Sequence, residues 1–163
     1  MDTNNQTARL KILDFADVTE NHFRSLNLEW IEQYFEVETE DRKVLNDPNR
    51  YIIKPGGVIL YAAYQGEIVG TCALKKHSQD IFELSKMGVK PQYQGLQIGK
   101  TLAKAIIQQA RLLGCKRLFL DSNRKLETAI HLYRKLGFTE INKAKDDSPY
   151  QRCDITMEMF LNS

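Results

Sequence analysis

The chain has little of several things that would narrow its class at once. No apolar run approaches the ~18 residues that a membrane-spanning helix needs, so no membrane partner is expected. The start, residues 1–5, is polar and carries neither the basic, apolar pattern of a secretory leader nor that of a transit peptide. A cytoplasmic location is the expectation that follows. Cysteine is sparse: Cys72, Cys115 and Cys153 are odd in number and scattered, which argues against a disulfide framework and reads as small buried apolar residues. The three histidines, His22, His77 and His131, have no ligand spacing among themselves or with the cysteines, so no metal is assigned. Internal repeats, linkers and low-complexity stretches are absent too.

What is present is an ordinary globular composition, 42% hydrophobic and 27% charged over 163 residues, enough for one self-sufficient core spanning 1–163. The net charge of +2 hides an asymmetry. Residues 1–50 carry 11 acidic and 6 basic side chains, whereas residues 86–135 carry 11 basic and 2 acidic ones. A basic block suits a polyanion. Nucleic acid is not the expected one, because Lys104, Arg111, Lys116, Arg117, Arg124, Lys125, Arg134 and Lys135 have no interleaved aromatic platform except Tyr133. Arg111 and Arg134 read as solvated helix residues.

Periodicity predicts a strand over 10–15, then a helix capped by Asp17 or Thr19 with Phe23, Leu26, Trp30, Ile31 and Tyr34 at helical spacing. A short helix over 39–45 is stopped by Asn46-Asp47-Pro48. Strands over 58–64 and 68–74 form a hairpin through Gln65-Gly66-Glu67, and a third strand covers 81–89. A helix over 99–113 ends at Gly114, a buried strand follows over 118–121, and a helix over 126–136 closes at Gly137. Strands over 138–141 and 153–160 finish the chain. The order implies an α/β fold on a sheet of mixed direction.

The turn that joins the strand over 81–89 to the long helix runs Gln94-Gly95-Leu96-Gln97-Ile98-Gly99-Lys100. Two glycines at a helix N-terminus bring several backbone N–H groups to one spot, a geometry that binds phosphate. Gly99-Lys100-Thr101 has the ending of a nucleotide-binding P-loop, but Gln94 stands where its first glycine belongs; a dinucleotide glycine pattern fails as well. The pattern that fits is Gln-x-x-Gly-x-Gly with Gln97 in place of the middle glycine. The stretch Val89 to Gly99 resembles the acyl-CoA-binding motif of the GCN5-related N-acetyltransferases. A second block, Asn123 followed by Ala129-Ile130-His131-Leu132-Tyr133-Arg134-Lys135-Leu136-Gly137-Phe138, resembles that family's other signature, in the same order.

The resemblance implies a single-domain fold with a mixed, mostly antiparallel sheet of six to seven strands, helices on both faces and a splayed pair of central strands, here 81–89 and 118–121. It implies acetyl-CoA as co-substrate, with the Met87 and Val89 backbone along the pantetheine arm and the amides of Gln94, Gly95, Leu96, Gln97, Ile98, Gly99 and Lys100 on the pyrophosphate. Gln97 is expected to turn its side chain outward, since a side chain turned inward would crowd the phosphate. Asn123 would hold the pantetheine by its amide, although five residues separate it from Ala129 where two are commoner. Tyr133 stands at the family's general-acid position, where a phenol can protonate the departing sulfur. Glu83, 11 residues ahead of Gln94, stands where histone-acetylating members carry their base. Set between Phe82 and Leu84, its carboxylate is expected to be desolvated and its pKa raised.

In this fold the first helices and the last hairpin cover the acceptor end. They supply Glu29, Trp30, Tyr34, Phe35, Glu36, Glu38 and the run Ser148 to Asp154. Trp30 and Tyr34 are candidate acceptor contacts, and Arg152 is a candidate for an acceptor carboxylate unless Asp154 pairs with it. The acceptor is expected to be a small amine-bearing metabolite rather than a protein lysine or N-terminus. The family often forms homodimers, so a second copy of the chain is a further partner to test. The rival readings are a non-catalytic acyl-CoA-binding or regulatory domain and a nucleotide-binding module.

Overall fold

A computed structural model describes residues 9–142 and 147–161; the polar start over 1–5 lies outside them. Seven strands form one sheet in the order β1-β2-β3-β4-β5-β7-β6. They are β1 (Leu10–Asp14), β2 (Val58–Tyr64), β3 (Glu67–Lys76), β4 (Ile81–Val89), β5 (Arg117–Ser122), β6 (Thr139–Ile141) and β7 (Ile155–Phe160). Every neighbouring pair is antiparallel except β4 with β5.

Local chemistry accounts for most of the elements. Gln65 and Gly66 both take positive φ, 52° and 85°, which gives the two-residue turn whose twist matches the β2-β3 hairpin. Helix α1 (His22–Tyr34) is capped by Asn21, whose side chain accepts from Arg24 N. The cap expected at Asp17 or Thr19 is displaced because Phe15–Asp17 form a 3-10 turn, itself capped by Asp14. The buried Tyr61 hydroxyl accepts from Phe23 N at 3.1 Å, satisfying a second of the helix's unpaired donors. Helix α2 (Thr39–Asn46) ends as expected, but Pro48 then opens a π-helical turn over Asn49–Ile53, closed by Lys54 N on Asn49 O.

Helices α1 and α2 pack on one face of the sheet, over a core that includes Phe23, Ile31, Val44, Ile52 and Tyr61. Helices α3 (Ile98–Leu112) and α4 (Glu127–Leu136) cover the other, where Leu102, Ile106, Ile107 and Ala110 meet Leu74, Phe82, Leu84 and Leu118. The α1 helix lies so close to β4 that a Cβ on Gly88 would stand 2.8 Å from Trp30 Cδ1 and 3.2 Å from Leu26 O, which fixes Trp30 against the strand.

Two irregularities in β4 shape the middle of the sheet. Its pairing with β5 covers only Ile81↔Arg117, Phe82↔Leu118 and Glu83↔Phe119. Beyond that point β4 stays with β3 as far as Gly70↔Val89 while β5 stays with β7 as far as Ser122↔Ile155, so the two strands part. The second irregularity is a bulge: Thr71 faces Gly88 and Ala73 faces Ser85, so Lys86 and Met87 together oppose Cys72. Lys86 takes φ +54° there.

Tyr61→Phe should lower the unfolding free energy by about 1–3 kcal/mol, because it strands the buried Phe23 N–H. Urea denaturation with an unchanged slope checks this.

Candidate functional site

At the C-terminal end of β4 the phosphate-type turn is built as the glycines suggested. Gly95 and Gln97 take positive φ, 87° and 64°, and Gln97 serves as the helix N-cap in the left-handed region with its side chain exposed. Ile98 is buried and anchors the turn in the core. The Gln94 N–H is already bonded to Pro91 O at 3.2 Å and leaves the expected set. From Gly95 through Lys100, no backbone N–H among the described residues has a partner outside the helix, and the first turn of α3 has none within it. A Cβ on Gly99 would meet nothing nearer than 3.8 Å, with Met87 and Val89 at 4.0 Å, so the concavity over this glycine is open. An anionic diphosphate fits such a cradle. The β4 edge that faces the gap with β5 carries backbone groups with no strand partner beyond Glu83, which suits the amides of a pantetheine arm.

The surrounding positive charge is smaller than the sequence count implied. Lys86, Lys90, Lys116, Arg117, Arg124 and Arg134 each pair with an acid. Lys100 and Lys104, at the start of α3, make no ion pair among the described residues and remain beside the turn.

Glu83 is the last β4 residue paired with β5, and Tyr133 lies in the core on the opposite face of the sheet. Phe82 and Leu84 join the core under α3 and α4; Glu83, between them in the strand alternation, projects to the α1 and α2 side. Tyr133 on α4 is buried, with its ring edge-on to Phe138 at 5.9 Å. Burial raises its phenol above the usual range, with a smaller contribution from Cys72. Glu83 Oε1 lies 2.8 Å from His77 Nε2. A cavity of about 190 Å³ opens over Glu83, with Lys75, His77, Asp121 and Asp147 around it and Phe119 and Tyr150 as apolar wall. A second, smaller cavity shares Glu83 and includes Trp30, Lys86, Asn123 and Arg152.

Beside the smaller cavity lies an ion cluster that reading the sequence did not find. Strand alternation would send Lys86 after Phe82 and Leu84 into the apolar core. The bulge turns it to the other face, where its ammonium pairs with the fully buried Asp41 of α2 and lies 4.2 Å from the Tyr150 ring centroid. Arg152 places Nη1 and Nη2 each 2.7 Å from the two Asp41 oxygens, with Glu38 3.4 Å away. Tyr150 also stacks on Arg152, whose Cζ is 4.5 Å from the ring centroid. Burial pushes the Asp41 carboxyl up, but Arg152 and Lys86 outweigh it and hold it at about 2. Burial pulls Lys86 down to about 8 against the opposing pull of Asp41, and the neighbouring Arg152 charge adds to the fall. The out-of-phase lysine in an apolar strand was the available signal.

Other sequence expectations meet a different geometry. Arg152 pairs with Asp41, not Asp154, whose carboxylate accepts from Arg124 N. The Asn123 amide already bridges Arg152 O at 2.7 Å and Lys125 N at 2.8 Å, so it ties the β5-α4 turn to the segment before β7. Trp30 lines the smaller cavity and packs edge-on to Phe35, whereas Tyr34 is 42% exposed and lines neither. Among the described residues no group of three or more His, Cys, Asp or Glu side chains is placed to hold a metal ion.

Asp41→Asn takes the anion from the buried Lys86 and leaves Arg152 only Glu38, and should cost about 3–5 kcal/mol. The same carboxylate predicts an acid response. Its folded pKa is depressed from 3.8 to about 2, so its contribution is complete above about pH 4 and lost as pH falls through 2. Denaturation of parent and variant between pH 7 and 2 checks both, the difference between them shrinking at the acid end.

Comparison with known proteins agrees with this geometry. An uncharacterized N-acetyltransferase, YjgM, of Escherichia coli (strain K12) is 36% identical over 107 residues, 64% of this chain and 64% of its own length. The N-acetylaspartate synthetase of Danio rerio is 30% identical over 102 residues, 61% of this chain and 36% of its own. The chain thus spans just under two thirds of the first relative and about a third of the second. In fold it is similar to a GNAT family acetyltransferase from Elizabethkingia anophelis with acetyl-CoA bound, at a TM-score of 0.69 and 20% identity, over 94% of this chain and 99% of that one. The model described as the acetyltransferase (GNAT) family matches residues 20–138, most of the sheet and both phosphate-side helices, and the chain belongs to that family.

Proposed function

We propose that the chain is an acetyl-CoA-dependent N-acetyltransferase that passes the acetyl group directly to a primary amine while both substrates are bound. The observation that carries this reading is the parting of β4 from β5 just after Glu83↔Phe119. The phosphate-type turn lies beyond one end of β4, and an acid-lined cavity opens at the point of separation.

The N–H groups of Gly95 through Lys100 hold the pyrophosphate, and the backbone of Met87 and Val89 aligns the pantetheine arm in the gap. Bound acetyl-CoA supplies an activated acyl carbon. Glu83, directly or through a water molecule, takes the proton of the arriving ammonium, which leaves a neutral nitrogen able to attack. Tyr133, from the other face, gives its proton to the departing sulfur, and the second proton that the nitrogen sheds on becoming an amide restores the neutral phenol. Burial keeps the phenol neutral until the sulfur needs the proton.

The acceptor in this reading is a small amine that also bears a carboxylate. The acids Glu83, Asp121 and Asp147 suit the ammonium, and a cavity of about 190 Å³ suits a metabolite of modest size. Arg152 turns its terminal nitrogens to Asp41 and so supports the wall with Trp30. Lys75, the register partner of Glu83 and without an ion pair among the described residues, is the cation available to a carboxylate. A relative named N-acetylaspartate synthetase supports the same class.

Acetyl-CoA at a hundredfold excess over its dissociation constant should stabilise the fold by ~2.7 kcal/mol. Gly99→Val, which has room in the fold but fills the cradle, should abolish that shift. No shift at millimolar CoA would contradict the reading. Tyr133→Phe should lower turnover by roughly 10²-fold or more with CoA affinity retained. CoA binding without thiol release from any amine would favour a non-catalytic acyl-CoA-binding domain instead.

A further inference from the structure

Glu83 is held by a residue that the acetyl-transfer reading leaves unused. His77 lies just past the end of β3, two positions beyond Lys75, the register partner of Glu83. Its backbone N–H donates to Ile81 O at 3.0 Å, and its ring packs on Phe119 with centroids 5.0 Å apart. These contacts present Nε2 to Glu83 Oε1 at 2.8 Å. The imidazole stands at the cavity mouth, 38% exposed, while the Glu83 side chain behind it is only 12% exposed.

A carboxylate that acts as a base needs one oxygen aimed at the proton it removes, and the three rotatable bonds of a glutamate blur that aim unless the other oxygen is fixed. Given that Glu83 is the base, we propose that His77 is its positioning residue and its pH gate. With the imidazole neutral, Nε2–H donates to Oε1, fixes the carboxylate plane and leaves Oε2 for the ammonium. With the imidazole protonated, the adjacent positive charge holds the carboxylate as an anion and weakens it as a base. Turnover therefore falls as His77 gains its proton. The charged groups around the ring pull both ways. Lys75 from β3 and Arg117, 5.3 Å from the Phe119 ring centroid, oppose protonation. Glu83, Asp121 from β5 and Asp147 favour it, and the Tyr150 phenol, pushed up by burial, stays neutral.

The test uses the full chain and follows thiol release from acetyl-CoA, with the best acceptor from a panel of free L-amino acids and their decarboxylated amines. His77→Ala should lower kcat by roughly tenfold or more with the KM for acetyl-CoA unchanged, against ~10²-fold or more for losing the base in Glu83→Gln. His77→Gln keeps an N–H donor but carries no titrating group. It should restore most of kcat at pH 8 and move the acid limb of the profile to lower pH. If His77→Ala matches the parent in kcat and pH profile, or His77→Gln falls as far as His77→Ala, the role of His77 is overturned. If Glu83→Gln also keeps the parent profile, the base assignment itself falls. Loss of activity in Glu83→Gln alone retires only the gate, and no turnover with any amine overturns both.

Discussion

The structure depends on where β4 and β5 stop sharing hydrogen bonds. Only three register pairs join them, ending at Glu83↔Phe119. Each strand then has a commitment elsewhere, β4 to β3 and β5 to β7. The sheet cannot close the gap without breaking one of those ladders, so a row of β4 backbone groups faces an opening in the middle of the fold. The helix after β4 must start near the end of that opening, which puts its unpaired N–H groups there. The residue at the point of separation, Glu83, faces the α1 side, and the residue that α4 brings from the other side is Tyr133. One interruption of pairing thus sets the placement of the cradle, the gap and Glu83.

The second constraint is electrostatic. Asp41, fully buried, accepts from Arg152 through both its oxygens and pairs with Lys86. A buried pair of this kind contributes little net stability compared with apolar side chains of equal volume. What it does is join α2, the bulge in β4 and the segment before β7, with Gln151 N on Glu38 Oε1 at 2.8 Å as a further tie. The β4 bulge and the segment before β7 line the smaller cavity beside Glu83 through Lys86, Tyr150 and Arg152, and Asp41 of α2 holds both in place from behind. The bulge is needed for this, since without the extra residue Lys86 would face the core under α3.

Much of the fold was legible because it rests on local rules. The strand Ile81–Val89 was readable at both ends from its β pattern and the proline that follows, and Gly114 and Gly137 marked helix ends by their need for positive φ. The hairpin turn at Gln65-Gly66 was of the same kind. The cap of α1 was misread because Asp17 is consumed in a 3-10 turn, a competition among near neighbours that periodicity does not resolve. The turn amides were legible, but the loss of Gln94 to Pro91 was not. The pairing of Asp41 with Arg152 spans 111 positions, and that of His77 with Glu83 depends on register. No local rule reaches either. For Arg152 the sequence pointed to a carboxylate on the acceptor or to Asp154, and the structure pairs it with Asp41 instead.

The most direct test of the central claim is a crystal structure of the chain with acetyl-CoA bound. The account predicts the pyrophosphate over Gly95 to Lys100, the pantetheine amides paired to the β4 edge beyond Glu83, and the sulfur within hydrogen-bonding reach of the Tyr133 hydroxyl, with the acetyl group opening toward Glu83. A CoA molecule bound outside the gap between β4 and β5, or one whose thioester lies away from both Tyr133 and Glu83, would contradict it.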